Sequence, residues 1–354
     1  MFGLFSKKKD LVGIDIGSSS VKLVQLLQNK DSYQLLNVGI APLPPEAIVD
    51  NSLMDTASVV EAVRNLVGSM GIKSKEMACS ISGNSVIIRK ILLNAMSSEE
   101  LEEQISWEAE QYIPFDIKDV HVDFQILGPD PIDPSKMQVL LVASKKDIIN
   151  EYVSLFADAG LKLDVMDIDT FALQNSAELS GVMDDKDAVI ALVNIGAGIM
   201  NINVVKGEVS LFTRDVQMGG NLYTEEIQKQ LGVGAQEAES MKMLATESSA
   251  EPLQSVIRRV NDTISQEIRR SIDFYNSTAS NEDRISGISI AGGCSKVTGL
   301  CDAIKERLGM DVELIDPFSR IKINEKDFDS EYIKEIAPLM TVGVGLAIRR
   351  VGDK

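Results

Sequence analysis

Two short segments, about half the chain apart, share a pattern of residue types suited to holding an anion. Residues 12–26 read VGIDIGSSSVKLVQL and residues 191–205 read ALVNIGAGIMNINVV, which aligns Asp15 with Asn194. Each segment is an apolar strand, one polar residue, a turn of small residues and a second apolar strand. Such turns let backbone N–H groups and hydroxyls converge on an anion. Together the two segments predict a phosphate chain held from both sides of a cleft, although either alone reads as a common β-hairpin.

A third segment favours a nucleotide over a simple anion. Residues 286–300 read SGISIAGGCSKVTGL, in which a buried-type strand runs into Gly292 and Gly293 and a helical pattern follows to about Leu308. A strand–Gly–Gly–helix junction lets the backbone approach a flat ligand closely and points a helix N-terminus at it. Three such turns at the beginning, middle and end of the chain predict one shared site.

The composition excludes several classes of function. The chain has 354 residues, of which 44% are hydrophobic, so two lobes can each bury a core. A net charge of −18 argues against nucleic acid as a general partner. The only histidine, His121, and three scattered cysteines predict neither a histidine triad nor a structural zinc site, and they fit a reducing compartment. We find no signal peptide and no apolar run long enough to span a bilayer, so we expect a soluble cytoplasmic protein.

Between the first two motifs, the pattern of elements indicates an insert. The segment MSSEELEEQISWEAEQYIPF has a capping box, Ser97 with Glu100, and predicts a helix that ends before Pro114. Strands are predicted at 120–127 and 137–143, and a second helix at 146–159. Residues 79–165 are therefore expected to form a small α+β subdomain with its own strands and helices.

The order of motifs resembles a known superfamily. DIGSSSVK, NIGAGIMNI and IAGGCSK are similar to the phosphate-1, phosphate-2 and adenosine motifs of the actin/heat-shock-chaperone/sugar-kinase ATPases. With EAEQYIPFDIKDVHVDF, DIDTFAL and a TVGVGLAIR terminus, essentially the whole chain resembles the PilM family of type IV pilus assembly proteins, FtsA-like members of that superfamily. EAEQYIPF is the most discriminating of these segments, since the phosphate turns identify only the superfamily.

This resemblance implies an α/β, actin-like (ribonuclease H-like) two-lobed fold with an FtsA-type α+β insert in the first lobe. We expect residues 1–78 to form the first lobe, completed by about 166–188 and 336–354. Residues 79–165 are expected to be the insert, and 189–335 the second lobe.

The resemblance also implies an ATP and Mg²⁺ site. Asp15 would hold Mg²⁺ through water, because hard cations prefer oxygen ligands and keep part of their hydration. The first motif would cradle the phosphates, the second would close from the other lobe, and the later glycines would line the nucleoside. The implied nucleotide-binding residues are Asp15, Gly17, Ser18, Ser19, Ser20, Lys22, Asn194, Gly196, Ala197, Gly198, Gly219, Gly220, Glu239, Lys242, Gly292, Gly293, Cys294 and Lys296. Taken singly, Glu239 and Lys242 are equally well explained as a surface ion pair.

One departure from the superfamily bears on hydrolysis. Active members usually carry Asp where this chain has Asn194, and an amide supplies no negative charge to hold metal and orient water. Phosphoryl transfer depends on positioning and charge, so we expect ATP to bind but hydrolysis to be weak or absent. Asp167 is the nearest match to a water-orienting carboxylate, with Asp169 close enough to leave the assignment open.

The implied function is that of an ATP-binding adaptor of the type IV pilus machinery. It would bind the cytoplasmic N-terminal tail of PilN at the cytoplasmic face of the inner membrane and link it to the pilus motor. We expect this peptide in a groove between the insert and the first lobe, near Tyr112, Ile113, Pro114 and Phe115, although core packing also explains those apolar residues. Self-association is left open. The alternatives are an FtsA-like division filament protein and a sugar or acyl kinase of the same superfamily.

Overall fold

A computed structural model describes residues 11–30, 32–83 and 86–353. The first part of the chain holds the strands β1 Val12–Ile16, β2 Ser20–Asn29, β3 Ser32–Pro42, β4 Ile48–Val49 and β5 Ser52–Leu53, the helix α1 Thr56–Ser69, and β6 Glu76–Ile81. Then follow β7 Val86–Asn94, α2 Ser98–Ala109, β8 Val120–Pro129, β9 Lys136–Lys145, α3 Lys146–Asp158, β10 Lys162–Ile168 and α4 Asp169–Ser180.

The second half contains β11 Val189–Ile195, β12 Met200–Lys206, β13 Val209–Val216, α5 Asn221–Leu231, α6 Ala235–Met243, α7 Glu251–Thr278, β14 Gly287–Ala291, α8 Leu300–Leu308 and β15 Val312–Leu314. The chain closes with β16 Ile321–Lys322, α9 Ser330–Ile336 and α10 Thr341–Ala347, the last two joined by a 3₁₀ turn over Ala337–Met340. Within the described residues no helix is long and apolar enough to cross a membrane.

Two sheets form the two lobes. The first has the order β10-β6-β1-β2-β3-β16, and the second has the order β13-β12-β11-β14-β15. In each sheet an antiparallel hairpin, β1–β2 or β11–β12, lies beside a parallel partner, β6 or β14. The motif repeated in the sequence is therefore repeated in the topology, and the fold is the predicted two-lobed α/β arrangement.

The insert has its own sheet, of order β7-β9-β8, packed against α2. The predicted capping box is present, with Glu100 N–H donating to Ser97 Oγ and Ser97 N–H donating to the Glu100 carboxylate. Its core contains Leu101, Ile105, Phe124 and Leu141. An apolar stripe on a capped helix, facing alternating strands, is what the sequence pattern predicted.

The lobe boundaries differ from those predicted, as a helix and a strand show. The helix α3, expected in the insert, buries Leu155 and Phe156 in the core of the first lobe. The short strand β16, expected in the second lobe, pairs with β3 at Ile321↔Tyr33 in the first sheet. In both cases the helix or strand lies where its apolar face is covered, and local periodicity does not show which core will cover it.

Candidate functional site: the interlobe cleft

The two hairpin turns face each other across one cleft. Side chains and backbone from β1–β2, β11–β12 and the turn after β14 line it together. Of the residues predicted from the sequence, those that line the cleft are Asp15, Gly17, Ser18, Ser19, Lys22, Asn194, Gly196, Ala197, Gly292 and Gly293. The cleft holds a cavity of only about 70 Å³, so it is narrow.

The first turn is built to present both charge and backbone. Asp15 and Lys22 are register partners in β1 and β2, and Lys22 Nζ lies 3.0 Å from Asp15 Oδ2. Gly17 N–H donates to Ser20 O at 3.1 Å, which closes the turn. A Cβ on Gly17 would lie 3.0 Å from Lys22 Nζ, so glycine leaves room for the ammonium group beside the turn. Ser20 itself starts β2 and does not line the cleft.

The second turn is supported from behind by the start of α5. Gly220 N–H donates to Gly196 O at 2.9 Å, and Asn221 N–H donates to Ala197 O at 2.8 Å. A Cβ on Gly219 would lie 2.4 Å from Gly196 O, and because this oxygen belongs to the backbone it cannot move aside as a flexible side chain would. Gly219 and Gly220, predicted to line the nucleoside, therefore hold the second turn in place and do not line the cleft.

Gly198 lies at the point where the two lobes meet. A Cβ there would be 2.8 Å from Ser18 Oγ, the hydroxyl of the opposite turn. Gly292 is constrained by a φ of +88°, a conformation that favours glycine, and by close backbone, since a Cβ would lie 2.3 Å from Ile195 O. Both glycines therefore allow different segments of the chain to approach closely at the cleft.

The remaining predicted nucleoside residues lie outside the cleft lining. Lys242 is buried and donates to Glu239 Oε2 at 2.6 Å and to Gly220 O at 3.3 Å, so this pair braces the start of α5. Lys296 donates to Glu335 O at 3.0 Å, and Cys294 is buried in the second core.

The structure corrects the choice between the two carboxylates near residue 168. Asp167 is turned away from the cleft and its Oδ2 lies 3.3 Å from Arg349 Nε. Asp169, the first residue of α4, lines the cleft instead. Burial, and after it the negative charge of Asp15, raises the pKa of Asp169 to about 6. In a continuous strand residues two apart share a face, but β10 ends at Ile168 and Asp169 begins α4, so the two carboxylates point in different directions.

Asp15 and Asp169 lie close enough in the cleft for a cation to be favoured between them. Repulsion between Asp15 and Asp169 is one cause of the raised pKa of Asp169, and a divalent cation between them would relieve it. Within the described residues no three His, Cys, Asp or Glu side chains gather closely enough to hold a metal by themselves. Mg²⁺ fits such a site, because it usually takes one or two carboxylates and completes its shell with water and phosphate.

Sequence reasoning missed several polar residues of the cleft. Asn51, at φ +63° in the β4–β5 hairpin, lines the cleft and donates from Nδ2 to Ser82 Oγ at 3.2 Å. Tyr152 reaches the same cleft from α3. The Asp50–Asn51 turn was a detectable signal for a tight hairpin, but nothing local indicates that it lies over the phosphate turns.

A chain of hydrogen bonds runs from the cleft into the second lobe. Asn194 Nδ2 donates to Asn201 Oδ1 at 3.1 Å, and Asn201 Nδ2 donates to Asp215 Oδ1 at 2.8 Å. Asp215 Oδ2 accepts from Gly83 N–H of the first lobe at 2.5 Å. Burial raises the pKa of Asp215, and these two hydrogen bonds oppose that rise.

Two grooves flank the insert, one at each edge of its sheet. The β8 groove lies between β8 and the first lobe, holds about 540 Å³, and has a floor of half-buried apolar side chains: Val122, Val142, Ile149, Met166 and Phe171. Acidic side chains surround that floor, namely Asp123, Glu178, Glu208 and Asp353. The β7 groove, of about 330 Å³, lies between β7 and β13 of the second lobe.

The predicted peptide residues do not line the β8 groove. Pro114 and Phe115 line the β7 groove, and Phe115 also packs under Lys145 Nζ at 4.4 Å from its ring centre. Ile113 is buried in the core of the insert, and Tyr112 is exposed. The groove between the insert and the first lobe exists, but other residues form it.

The sequence was compared with models of known protein families. A family model described as type IV pilus assembly protein PilM matches residues 13–351. The chain belongs to the PilM family. A solved PilM-PilN type IV pilus biogenesis complex is similar in structure, with a TM-score of 0.85 and 28% identity, covering 97% of this chain and 98% of that one.

More distant relatives confirm the actin-like fold. FtsA of Enterococcus hirae is 25% identical over 86% of this chain and 78% of that protein. FtsA of Bacillus subtilis is 27% identical over 65% of this chain, and the match spans only 57% of that protein's length. MreB5 of Spiroplasma citri bound to ADP aligns with 95% of this chain and 94% of that one, at a TM-score of 0.53 and 11% identity, which shows the fold alone.

Proposed function

We propose that this chain is an ATP-binding adaptor of type IV pilus assembly that binds the cytoplasmic N-terminal tail of PilN. The observation that carries the nucleotide part is the single cleft between two facing hairpin turns, with Asp15 and Lys22 on one side and Gly196 and Ala197 on the other. Backbone N–H groups, hydroxyls and one lysine would bind the triphosphate, and the carboxylates of Asp15 and Asp169 would bind Mg²⁺ or its water shell.

In this proposal the lobes move apart to admit the nucleotide. Ligand pockets usually measure about 300–1,000 Å³, whereas the cavity of the cleft measures about 70 Å³. The Ser18–Gly198 approach and the hydrogen bond from Gly83 N–H to Asp215 join the two lobes beside the cleft. The Mg²⁺ would polarise the phosphates, while the protein residues orient them and exclude water. With an amide at Asn194, we retain the expectation that turnover is weak or absent.

The β8 groove supports the partner part of the proposal better than the β7 groove does. Its floor is apolar, its rim is acidic, and β8 is an edge strand of the insert sheet. An extended peptide with apolar anchors and basic flanks can add to such an edge through backbone hydrogen bonds and place side chains in the floor. The similar PilM-PilN complex supports PilN as that partner. Through PilN, the chain would lie at the cytoplasmic face of the inner membrane and connect to the motor.

Fluorescence anisotropy with a labelled PilN-tail peptide tests the partner site. Val122→Lys places a cation in the apolar floor and should weaken binding by about tenfold or more, as substitutions at an interface hot spot do. Val153→Lys is the matched control, because Val153 is 46% exposed on α3 and does not line the groove. Loss of binding in Tyr112→Lys, with Val122→Lys unaffected, would return the peptide to the site first expected.

Binding of ATP to the wild-type chain tests the nucleotide part independently. Calorimetry with Mg·ATP should show saturable binding that Asp15→Ala weakens, since Asp15 holds the cation and orders Lys22. Absence of binding at millimolar ATP would refute the nucleotide site and leave the peptide site standing.

A further inference from the structure

We propose that Asp215 is a positioning residue that fixes which end of the Asn194 amide faces the cleft. This inference rests on the proposed nucleotide function, because the atom it presents is the one that would face Mg²⁺ or its water. Asp215 does not line the cleft. It acts only through Asn201, which lies between them.

The direction of the hydrogen bonds carries the argument. An ionised carboxylate can only accept, so Asn201 must turn its NH₂ group toward Asp215. Its Oδ1 then faces Asn194 and can only accept, so Asn194 must donate from its own NH₂ group. The Oδ1 of Asn194 is left for the cleft.

Burial of Asn201 fixes the orientation of its amide. Asn201 is fully buried, so no bulk water is available to satisfy a flipped amide. The freed oxygen of Asn194 lies toward the adenosine-motif turn, where a Cβ on Gly292 would be 2.7 Å from it. An amide oxygen is an acceptable partner for a hard cation or its water shell, whereas an amide NH₂ group directed at the same point would repel the cation.

Asp215 is held in place from the other lobe as well. Its second oxygen accepts from Gly83 N–H, in the segment that links β6 to the insert. Where the superfamily usually carries a carboxylate, this chain therefore has the neutral amide oxygen of Asn194. The carboxylate of Asp215 orients that oxygen through Asn201, two hydrogen bonds away. Such indirect support of a metal site is usually worth about 10- to 100-fold in metal affinity.

The test compares Asp215→Asn with the wild type in binding of Mg·ATP and of ATP with EDTA. An amide at 215 can present either its oxygen or its NH₂ group to Asn201. The direction of the two hydrogen bonds is then no longer fixed, while the shape of the side chain is kept. We expect affinity for Mg·ATP to fall about tenfold and affinity for metal-free ATP to change by less than about twofold. Glu267→Gln is the control, because it removes a buried carboxylate of the same lobe, bonded to Arg214, that does not line the cleft.

Asn194→Asp provides the rescue that a merely structural role would not give. A carboxylate at 194 presents an oxygen whichever way it turns, but it faces Asn201 Oδ1 as long as Asp215 holds the Asn201 NH₂ group. Asp215→Asn lets Asn201 turn, so in that background it should not weaken Mg·ATP binding. An equal loss for both forms of ATP, or the same loss in the Asn194→Asp background, would overturn the inference. If the wild type binds neither form, the nucleotide site itself is refuted and the inference fails with it.

Discussion

Replacing Asp169 by asparagine should stabilise the protein at neutral pH. Asp169 is half-buried beside Asp15 at the N-terminus of α4, and this burial and the charge of Asp15 raise its pKa from 3.8 to about 6. The unfolded chain ionises this group more readily than the folded one does, so between these two values the folded state holds more protons. Stability therefore falls as pH rises from about 4 to about 6, and the loss is complete above that range.

The magnitude follows from the difference between the two pKa values. A difference of about two pH units corresponds to about 3 kcal/mol, which is an upper limit for the ionised carboxylate in this setting. Asparagine keeps the shape and loses the charge, so Asp169→Asn should be more stable than the wild type by up to about 3 kcal/mol at about pH 7.5. At about pH 3, below both pKa values, the two proteins should be nearly equal, because the side chain is then largely neutral in both.

Urea unfolding at several pH values, followed by circular dichroism, measures this difference. Subtracting the wild-type curve removes the contribution of every other group that titrates in the same range. Glu61→Gln, an exposed carboxylate on α1, is the control and should shift stability by less than about 0.5 kcal/mol at any pH. Parallel curves for wild type and Asp169→Asn would show that burial and Asp15 do not penalise the ionised carboxylate, and the reasoning would be refuted.

Two further predictions concern packing. Gly219→Ala should destabilise the chain by about 1–3 kcal/mol, since its Cβ would meet Gly196 O at 2.4 Å, whereas Gly234→Ala, which meets nothing within 4 Å, should shift the urea midpoint little. Arg349→Met should cost about 3 kcal/mol or more at neutral pH because Asp167 is left buried without its cation, and adding Asp167→Leu should recover most of that loss in a double-mutant cycle. A double variant as unstable as Arg349→Met alone would count against the ion-pair explanation.

The repeated motif made the architecture predictable from the sequence. Two strand–turn–strand segments with Gly and Ser in the turn, and a third strand ending in Gly292 and Gly293, predicted facing hairpins, and the structure brings their turns to one cleft. The capping box at Ser97 and Glu100 likewise predicted the start of α2. These signals are local, because turn geometry and helix capping depend on residues a few positions apart.

What the tertiary structure decided is which side chains share a space. Only the fold shows that Asp169, and not Asp167, lines the cleft, and that Asn51 of the β4–β5 hairpin lines it too. Only the fold shows that Asp215 is linked to Asn194 through Asn201. It also shows that the groove between the insert and the first lobe lies at the edge of β8, away from Tyr112. Contacts between residues far apart in the chain depend on how sheets and helices pack against one another, and single-sequence patterns record the periodicity of each element but not its neighbours.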